Sequence, residues 1–294
     1  MSRTRTIRTR KRCAFTLAAC LALVALAVSS SGIASAHAHS STGNTIRSDW
    51  TKPTIVLVHG AWADGSSWDG VTRRLQADGY TVAVPPNPLR GLTYDAAYLA
   101  DFLQTISGPI VLVGHSYGGA VITNAAVGNA NVKALVFVDA FVPDQGESVL
   151  QLASAPPPPG QAGSCLGGDP TQVFNFVPYP GAPTGDVDLY IKPSLFPSCF
   201  ANDLPYRQAA VLAASQRPIA FSALTEPSGT PAWKTIPSWY LIGTLDKVLP
   251  PYEQRFMALR AHAHIAEVEA AHPSMISHHD AATDLIESAA KATA

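Results

Sequence analysis

Short apolar runs alternate along the chain with segments that carry apolar residues at three- and four-residue spacing. The runs are rich in Val and Ile, as strands buried on both faces are, and the spaced segments are typical of amphipathic helices. The predicted strands are 54–58, 81–84, 110–113, 134–138, 239–242 and 265–269. The predicted helices are 68–77, 94–106, 117–128, 252–261 and 281–290. This order predicts an α/β fold with a mostly parallel sheet of about six strands, flanked by helices, and chemistry just after the strands' carboxyl ends.

One long segment interrupts this alternation between the fourth and fifth strands. Residues 143–237 hold 16 of the chain's 24 prolines, and regular strands and helices cannot continue through so many. We therefore expect an inserted cap of rigid loops and a few short helices, the clearest at 201–215. The α/β core is expected to comprise 53–142 and 238–294, preceded by a flexible N-terminal segment at 37–52.

The first 36 residues have the pattern of an export signal. Basic residues cluster between Arg3 and Arg12, an apolar run extends from Ala14 to Val28, and small residues end the segment at 34–36. The run of about 15 residues is shorter than the roughly 20 that a membrane-spanning helix requires. We expect cleavage after residue 36 and secretion; a membrane anchor, or a lipoprotein modified at Cys20, are the alternatives.

Loss of this segment changes the charge and the cysteine count. It removes six positive charges from a net charge of −1 and leaves −7, which disfavours nucleic acid and anionic membranes as partners. The full sequence is 47% apolar and 14% charged. The remaining chain is therefore long and apolar enough to bury one large core. Of its cysteines Cys165 and Cys199 remain, and in an oxidising compartment we expect them to form a disulfide, two free buried thiols being the alternative.

The strongest chemical motif is Gly114-His115-Ser116-Tyr117-Gly118, between the predicted strand 110–113 and the predicted helix 117–128. A G-x-S-x-G sequence in this setting is a nucleophile elbow, in which a strained turn exposes the serine hydroxyl. The glycines on either side allow the backbone and the next helix to approach closely. Ser116 is therefore the predicted nucleophile.

Serine is a weak nucleophile, so a base and a residue that orients the base are required. They are expected in the chain order serine, acid, histidine, each just after a strand. Asp246 follows the predicted strand 239–242 and His272 follows 265–269, so we predict that Asp246 orients His272, which deprotonates Ser116. Asp139, after the fourth strand, is the competing acid.

The charge that develops on an attacked carbonyl requires two backbone N–H donors. One is expected from Tyr117, directly after the nucleophile, and the other from Ala61 in the loop after the first strand. Trp62 is predicted to form a wall of the substrate pocket. We expect no catalytic metal.

These motifs as a set resemble the plant methylesterase and hydroxynitrile lyase branch of the α/β-hydrolase superfamily and related bacterial esterases. The resemblance covers about residues 54–142 and 237–290 and does not inform the cap. It implies a six-stranded parallel core with a lid, no cofactor, and acyl-enzyme chemistry. The matching residues are His59-Gly60-Ala61-Trp62, Trp68, the elbow, Asp246-Lys247 and His272.

The same resemblance separates two reactions. Cyanohydrin cleavage in that branch uses a threonine after the strand-end histidine and a lysine after the catalytic histidine, whereas Gly60 and Pro273 occupy these positions here. Ester hydrolysis is therefore favoured over C–C lyase chemistry. Aromatic residues of the cap either bind an apolar or aromatic ester or only pack under the lid. They are Phe174, Phe176, Tyr179, Phe196, Phe200 and Tyr206.

The sequence therefore predicts a secreted serine hydrolase of small to medium, apolar or aromatic carboxylic esters. A lactonase, an amidase or a cofactor-free perhydrolase on the same triad is the alternative, because the nucleophilic step is shared. A non-catalytic binder of small ligands is a further alternative, because a fold does not guarantee chemistry.

Overall fold

The computed structural model describes residues 51–293, and a six-stranded parallel sheet lies at the centre of this part of the chain. The predicted export signal, and the N-terminal segment up to residue 50, lie outside the described residues. The strands of the sheet are β1 (Thr54–Val58), β2 (Val82–Ala83), β3 (Ile110–His115), β4 (Val132–Val138), β8 (Ser238–Gly243) and β9 (His264–Val268). They lie in the order β2-β1-β3-β4-β8-β9, and every neighbouring pair is parallel. The predicted mostly parallel sheet of six strands is confirmed.

Helices cover both faces of this sheet because successive strand residues point to opposite sides. The core helices are α1 (Asp69–Ala77), α2 (Leu92–Gln104), α3 (Tyr117–Ala125), α9 (Pro251–Arg260), α10 (Ser274–Ser277) and α11 (His279–Ala292). Ile55 and Leu57 pack with α1 and α11 on one face, whereas Val56 and Val58 pack with α2, α3 and α9 on the other. Short 3₁₀ turns lie at Gly65–Trp68 and Ala232–Lys234.

The segment between β4 and β8 contains a structure that the sequence pattern did not predict. It holds a second, antiparallel sheet of order β5-β6-β7. Its strands are β5 (Phe174–Val177), β6 (Asp188–Ile191) and β7 (Ile219–Ala220). Its helices are α4 (Val149–Ala153), α5 (Pro170–Val173), α6 (Phe196–Cys199), α7 (Tyr206–Ser215) and α8 (Phe221–Thr225). Strands this short carry little periodicity, and β6 pairs with a strand far along the chain, so only the folded cap reveals the sheet.

Several predicted elements are shorter than the pattern suggested, and the predicted helix 117–128, for example, ends at Ala125. The predicted helix 201–215 begins only at Tyr206, because Pro205 occupies its N-cap and a proline interrupts the helical hydrogen bonds of any turn before it. The second predicted strand, 81–84, is reduced to the two residues of β2 at the sheet edge. Within residues 51–293, none of the helices combines the length and the apolar character needed to cross a bilayer.

Candidate active site

Ser116 lies at a sharp turn between β3 and α3. Its backbone has φ 52° and ψ −126°, a conformation that a residue with a side chain adopts only at an energetic cost. A Cβ at Gly114 would lie 2.6 Å from the carbonyl oxygen of Gly118. Strand and helix therefore approach this closely only with glycine at position 114, and the result is the strained turn that the motif predicts.

Three side chains that are distant in the sequence meet at the carboxyl end of the large sheet. Asp246 lies in the loop after β8 and His272 in the loop after β9. Nε2 of His272 lies 2.8 Å from Oγ of Ser116, and Nδ1 of His272 lies 2.7 Å from Oδ2 of Asp246. All three residues are buried. These are the contacts between nucleophile, base and orienting acid that a serine hydrolase requires.

Hydrogen bonds fix the carboxylate of Asp246 from several directions. Its Oδ1 accepts from the backbone N–H groups of Val248 at 2.8 Å and Leu249 at 2.9 Å. Its Oδ2 accepts from Nε2 of Gln254 at 2.9 Å in addition to His272. Burial raises the pKa of Asp246, whereas the amides of Leu249 and Val248 oppose this rise by favouring the charged form. The carboxylate is therefore held in one orientation against the imidazole.

The imidazole of His272 is fully buried. Burial lowers its pKa from 6.5 to about 3, because a low-polarity environment disfavours the protonated ring. The ring is therefore neutral near pH 7. Since Nδ1–H points to Asp246, Nε2 is free to accept the Ser116 proton. Nε2–H of His115 donates to the backbone carbonyl of His272 at 3.0 Å and so helps to fix the loop that carries His272.

Asp139, the competing acid, occupies a different place. It is fully buried at the end of β4. Its Oδ1 accepts from the N–H of Gly243 at 2.7 Å, and its Oδ2 accepts from the N–H of Ser274 at 3.2 Å. The carboxylate thus joins the end of β8, before Asp246, to the start of α10, after His272, and it is Asp246 that contacts Nδ1 of His272.

The two predicted oxyanion donors lie beside Ser116. Ala61 and Tyr117 line the same cavity as Ser116. Among residues 51–293, the backbone N–H of neither has a hydrogen-bond acceptor, so both are available to an external oxygen. The phenol of Tyr117 donates to Oδ2 of Asp95 at 2.7 Å, which holds the first residue of α3 in place.

The loop that carries Ala61 is held by His59 and its neighbours. The backbone N–H of Asn87 donates to Nε2 of His59 at 3.0 Å, and the side-chain amide of Asn87 donates to the carbonyl of His59 at 2.9 Å. A Cβ at Gly60 would lie 2.6 Å from Cβ of Ser116. The loop therefore passes directly over Ser116 only because position 60 is glycine.

A mostly apolar cavity of about 340 Å³ opens in front of Ser116. Trp62 forms one wall, where its ring stacks on Phe174 at 5.7 Å between centroids. Its indole N–H donates to the carbonyl of Leu189 in β6 at 2.8 Å. Core and cap therefore build the cavity together. The cap residues that line it include Val149, Leu166, Phe174, Phe176, Leu189 and Leu224.

The aromatic residues of the cap serve two purposes. Phe174 and Phe176 line the cavity. Phe196 and Phe200 are buried, and the edge of Phe200 meets the His272 ring at 5.0 Å between centroids. Tyr206 is 74% exposed. Phe174 and Phe176 therefore face the cavity, Phe196 and Phe200 pack in the core, and Tyr206 does neither.

Cys165 and Cys199 form a disulfide within the cap. The bond joins the loop before α5 to the last residue of α6. The backbone N–H of Cys165 also donates to the carbonyl of Lys247 at 2.8 Å. The disulfide thus lies next to the loop that carries Asp246.

Supporting residues such as Gln254 and Asp95 were not predicted. Gln254 is buried with Met257 and Ala258, three and four positions later on α9. Asp95 is buried on the same face of α2 as Leu99. A polar residue on the apolar face of a helix is a signal that the sequence does carry, although it does not name the partner.

The sequence profile of the alpha/beta hydrolase family matches residues 55–285. A carbendazim hydrolyzing esterase from Nocardioides sp. (strain SG-4G) is 34% identical over 127 residues, which are 39% of this chain and 52% of the esterase. The alpha/beta hydrolase nvfD of Aspergillus novofumigatus (strain IBT 16806) is 26% identical over 260 residues, 81% of this chain and 97% of that protein.

An alpha-hydroxynitrile lyase from Arabidopsis thaliana is 30% identical over 107 residues, 32% of this chain and 42% of the lyase. The chain thus spans about half the length of the Nocardioides and Arabidopsis relatives that it matches. A solved pyrethroid hydrolase from Sphingobium faniae JZ-2 superposes with a TM-score of 0.63 at 24% identity, covering 82% of this chain and 98% of that one. At this identity the likeness concerns the fold. The resemblance predicted from the motifs is confirmed.

Proposed function

The chain belongs to the alpha/beta hydrolase family, and on that premise we propose that it is a carboxylic ester hydrolase with Ser116 as its nucleophile. The observation that carries the proposal is the 2.8 Å distance between Nε2 of His272 and Oγ of Ser116. A neutral, oriented imidazole at this distance is positioned to remove the hydroxyl proton.

In the first half of the reaction, Oγ of Ser116 attacks the ester carbonyl carbon as His272 takes the serine proton. The carbonyl oxygen becomes negative and is stabilised by the N–H groups of Ala61 and Tyr117, each worth roughly 3 to 4 kcal/mol in other serine hydrolases. His272 then gives its proton to the departing alkoxide oxygen. The bond between the carbonyl carbon and the alcohol oxygen breaks, and an acyl-enzyme is left on Ser116.

In the second half, water takes the place of the departed alcohol. His272 removes a proton from this water, whose oxygen attacks the acyl carbon. The same two N–H groups stabilise the oxyanion. His272 then returns the proton to Oγ of Ser116 as the carboxylic acid leaves. Throughout the cycle Asp246 stabilises the protonated ring without taking its proton.

The proposed substrates are small to medium esters with an apolar or aromatic part. The apolar lining of the cavity, including Trp62 and Phe174, supports this class. Lyase chemistry is disfavoured, because Gly60 and Pro273 supply neither the hydroxyl nor the cation that the resembling lyases use at these two positions. The names of the Nocardioides esterase and the Sphingobium hydrolase also describe hydrolases.

Export of the protein is a second part of the proposal. It is supported by the signal-like residues 1–36 and by the disulfide Cys165–Cys199, since disulfides persist in oxidising compartments. Mass spectrometry of the protein from culture medium is expected to give a chain that starts at residue 37. A full-length chain that stays inside the cell would contradict export without affecting the catalytic proposal.

The catalytic proposal is tested with short-chain p-nitrophenyl esters and a fluorophosphonate probe. We expect wild-type protein to turn over the esters and the probe to label Ser116. Ser116→Ala is expected to lose both, whereas Ser215→Ala, at the end of α7, is expected to retain both. Absence of labelling in folded wild-type protein would instead favour a non-catalytic binder.

A further inference from the structure

A loop of the cap contacts both loops that carry the acid and the base. The side-chain amide of Asn202 donates to the carbonyl of Leu245 at 3.2 Å. Oδ2 of Asp203 accepts from the backbone N–H of Ala271 at 3.0 Å. Leu245 and Ala271 directly precede Asp246 and His272 in the chain. Two consecutive cap residues therefore reach the residues next to the acid and the base.

Asp203 accepts two hydrogen bonds from the segment around His272, which runs from Ala271 to Ser277. Besides Ala271, its Oδ2 accepts from Oγ of Ser277 at 2.6 Å. Ala271 and Ser277 lie on either side of His272 in the sequence. One carboxylate oxygen thus closes the loop around the base, and it does so from the cap rather than from the core.

The position of Asp203 is itself secured through the disulfide. Cys199 ends α6, shortly before Asp203, and is bonded to Cys165. On the Cys165 side, the N–H of Cys165 donates to the carbonyl of Lys247 and Oγ of Ser164 donates to the carbonyl of Val248, at 2.8 and 2.7 Å. The loop that carries Asp246 therefore receives hydrogen bonds from the cap near Cys165 and also near Cys199, through Asn202.

We propose that Asp203 is a positioning residue that holds Nε2 of His272 within reach of Ser116. Catalysis would then depend on the hydrogen bonds between the cap and the loop that carries His272. This inference rests on the function proposed above, because it assigns His272 the role of base. A displacement of about 1 Å at a reacting group can cost about a hundredfold in rate. Loss of Asp203 leaves the N–H of Ala271 and the hydroxyl of Ser277 without their acceptor in the cap.

The test compares Asp203→Ala and Asp203→Asn with Glu226→Ala. Glu226 is a matched control, because this cap carboxylate also accepts from one backbone N–H and one hydroxyl of the core, both of Thr93. For p-nitrophenyl acetate, Asp203→Ala is expected to lower kcat about tenfold to a hundredfold with KM within about twofold. Asp203→Asn, whose amide oxygen still accepts a hydrogen bond, is expected to recover most of this loss. Glu226→Ala is expected to stay within about twofold of wild type.

The rate at which a fluorophosphonate labels Ser116 is measured in parallel, because it reports the activated serine even with an ester that turns over poorly. Slow labelling of folded Asp203→Ala supports the proposal independently of the substrate class. Labelling and kcat equal to wild type would overturn it, and so would an equal loss in Glu226→Ala. If Asp203→Ala does not fold, Ser277→Ala tests the same contact, with an expected fall in kcat of about threefold and an unchanged KM. Wild-type values of kcat and of the labelling rate in folded Ser277→Ala would then overturn the proposal.

Discussion

In the core, Ser116, Asp246 and His272 each follow a strand of the parallel sheet, whereas the cap reaches the same site through loop hydrogen bonds and a disulfide. The strand ladders place the three side chains by many backbone hydrogen bonds at once. The cap contacts are few, and each depends on a particular side chain such as Asp203.

This difference indicates how the two regions respond to change. A core substitution in the triad removes a reacting group, so the chemistry itself is lost. A cap substitution shifts the geometry or the shape of the cavity, so the rate falls by a smaller factor. The cap is therefore expected to tune an activity whose existence depends on the core.

The largest effect is expected for the acid in the core. Asp246→Asn is expected to lower kcat about 10⁴-fold, because the amide no longer holds the imidazole in the required tautomer. Asp139→Asn, which retains one acceptor oxygen for Gly243 or Ser274, is expected to cost less than about tenfold. Steady-state kinetics on p-nitrophenyl acetate measures both, with thermal unfolding as the control for folding. A larger loss in Asp139→Asn than in Asp246→Asn would reverse the assignment of the acid.

Removal of the disulfide is the next test, and it addresses the cap. The double variant Cys165→Ser, Cys199→Ser is expected to lower kcat on the order of tenfold, because the loop that holds Asp203 is released. Its free energy of unfolding is expected to fall by about 4 kcal/mol for a sequence separation of 34 residues. Denaturant titration and kinetics are measured with and without dithiothreitol. If dithiothreitol lowers the activity of the wild type but not that of the double variant, the result supports a role of the disulfide in positioning Asp203. An unchanged kcat in the double variant contradicts this role.

The cavity wall contributed by the cap gives a smaller and more selective effect. Ala153→Trp, at the end of α4 and on the cavity lining, is expected to lower kcat/KM for p-nitrophenyl octanoate about fivefold and to leave the acetate within twofold. Ala214→Trp, on the exposed side of α7, is the matched control. Equal losses with both esters would show that position 153 does not bound the substrate.

The smallest change is expected when the pH is lowered. Burial lowers the pKa of His272 to about 3, so the neutral base persists as pH falls and is lost only near that value. At pH 5, kcat/KM is expected to remain within about twofold of its value at pH 7, with circular dichroism as the control for folding. A half-loss near pH 6.5 would indicate an imidazole that titrates as in water.

The same pKa has a consequence for stability. The unfolded chain binds a proton at the imidazole near pH 6.5, whereas the folded chain does not until about pH 3. The unfolded state therefore binds more protons between these values, and the contribution of His272 to stability declines as pH falls through this range. Thermal unfolding followed between pH 7 and pH 4 measures this decline.

Much of the core was predictable because its signals are local. The buried runs that became β1, β3, β4 and β8 were visible as apolar stretches. The edge strand β9 was also placed from the sequence, but it is largely exposed and not buried on both faces as expected. The carboxyl ends of parallel strands meet at one edge. Ser116, Asp246 and His272 could therefore be placed together before their distances were known. The buried polar residues Gln254 and Asp95 gave a weaker signal, because their partners lie on other elements.

Residues that are neighbours along the chain fix the order of strands and helices and the strained turn at Ser116, so these features could be predicted from the sequence. The folded chain was needed to show that Asp246 rather than Asp139 contacts His272, that the cap contains a second sheet, and that Asp203 accepts hydrogen bonds on either side of His272. These contacts join residues far apart in the sequence across irregular loops. The hydrophobic pattern along the sequence does not indicate such contacts, because they form only when the chain has folded.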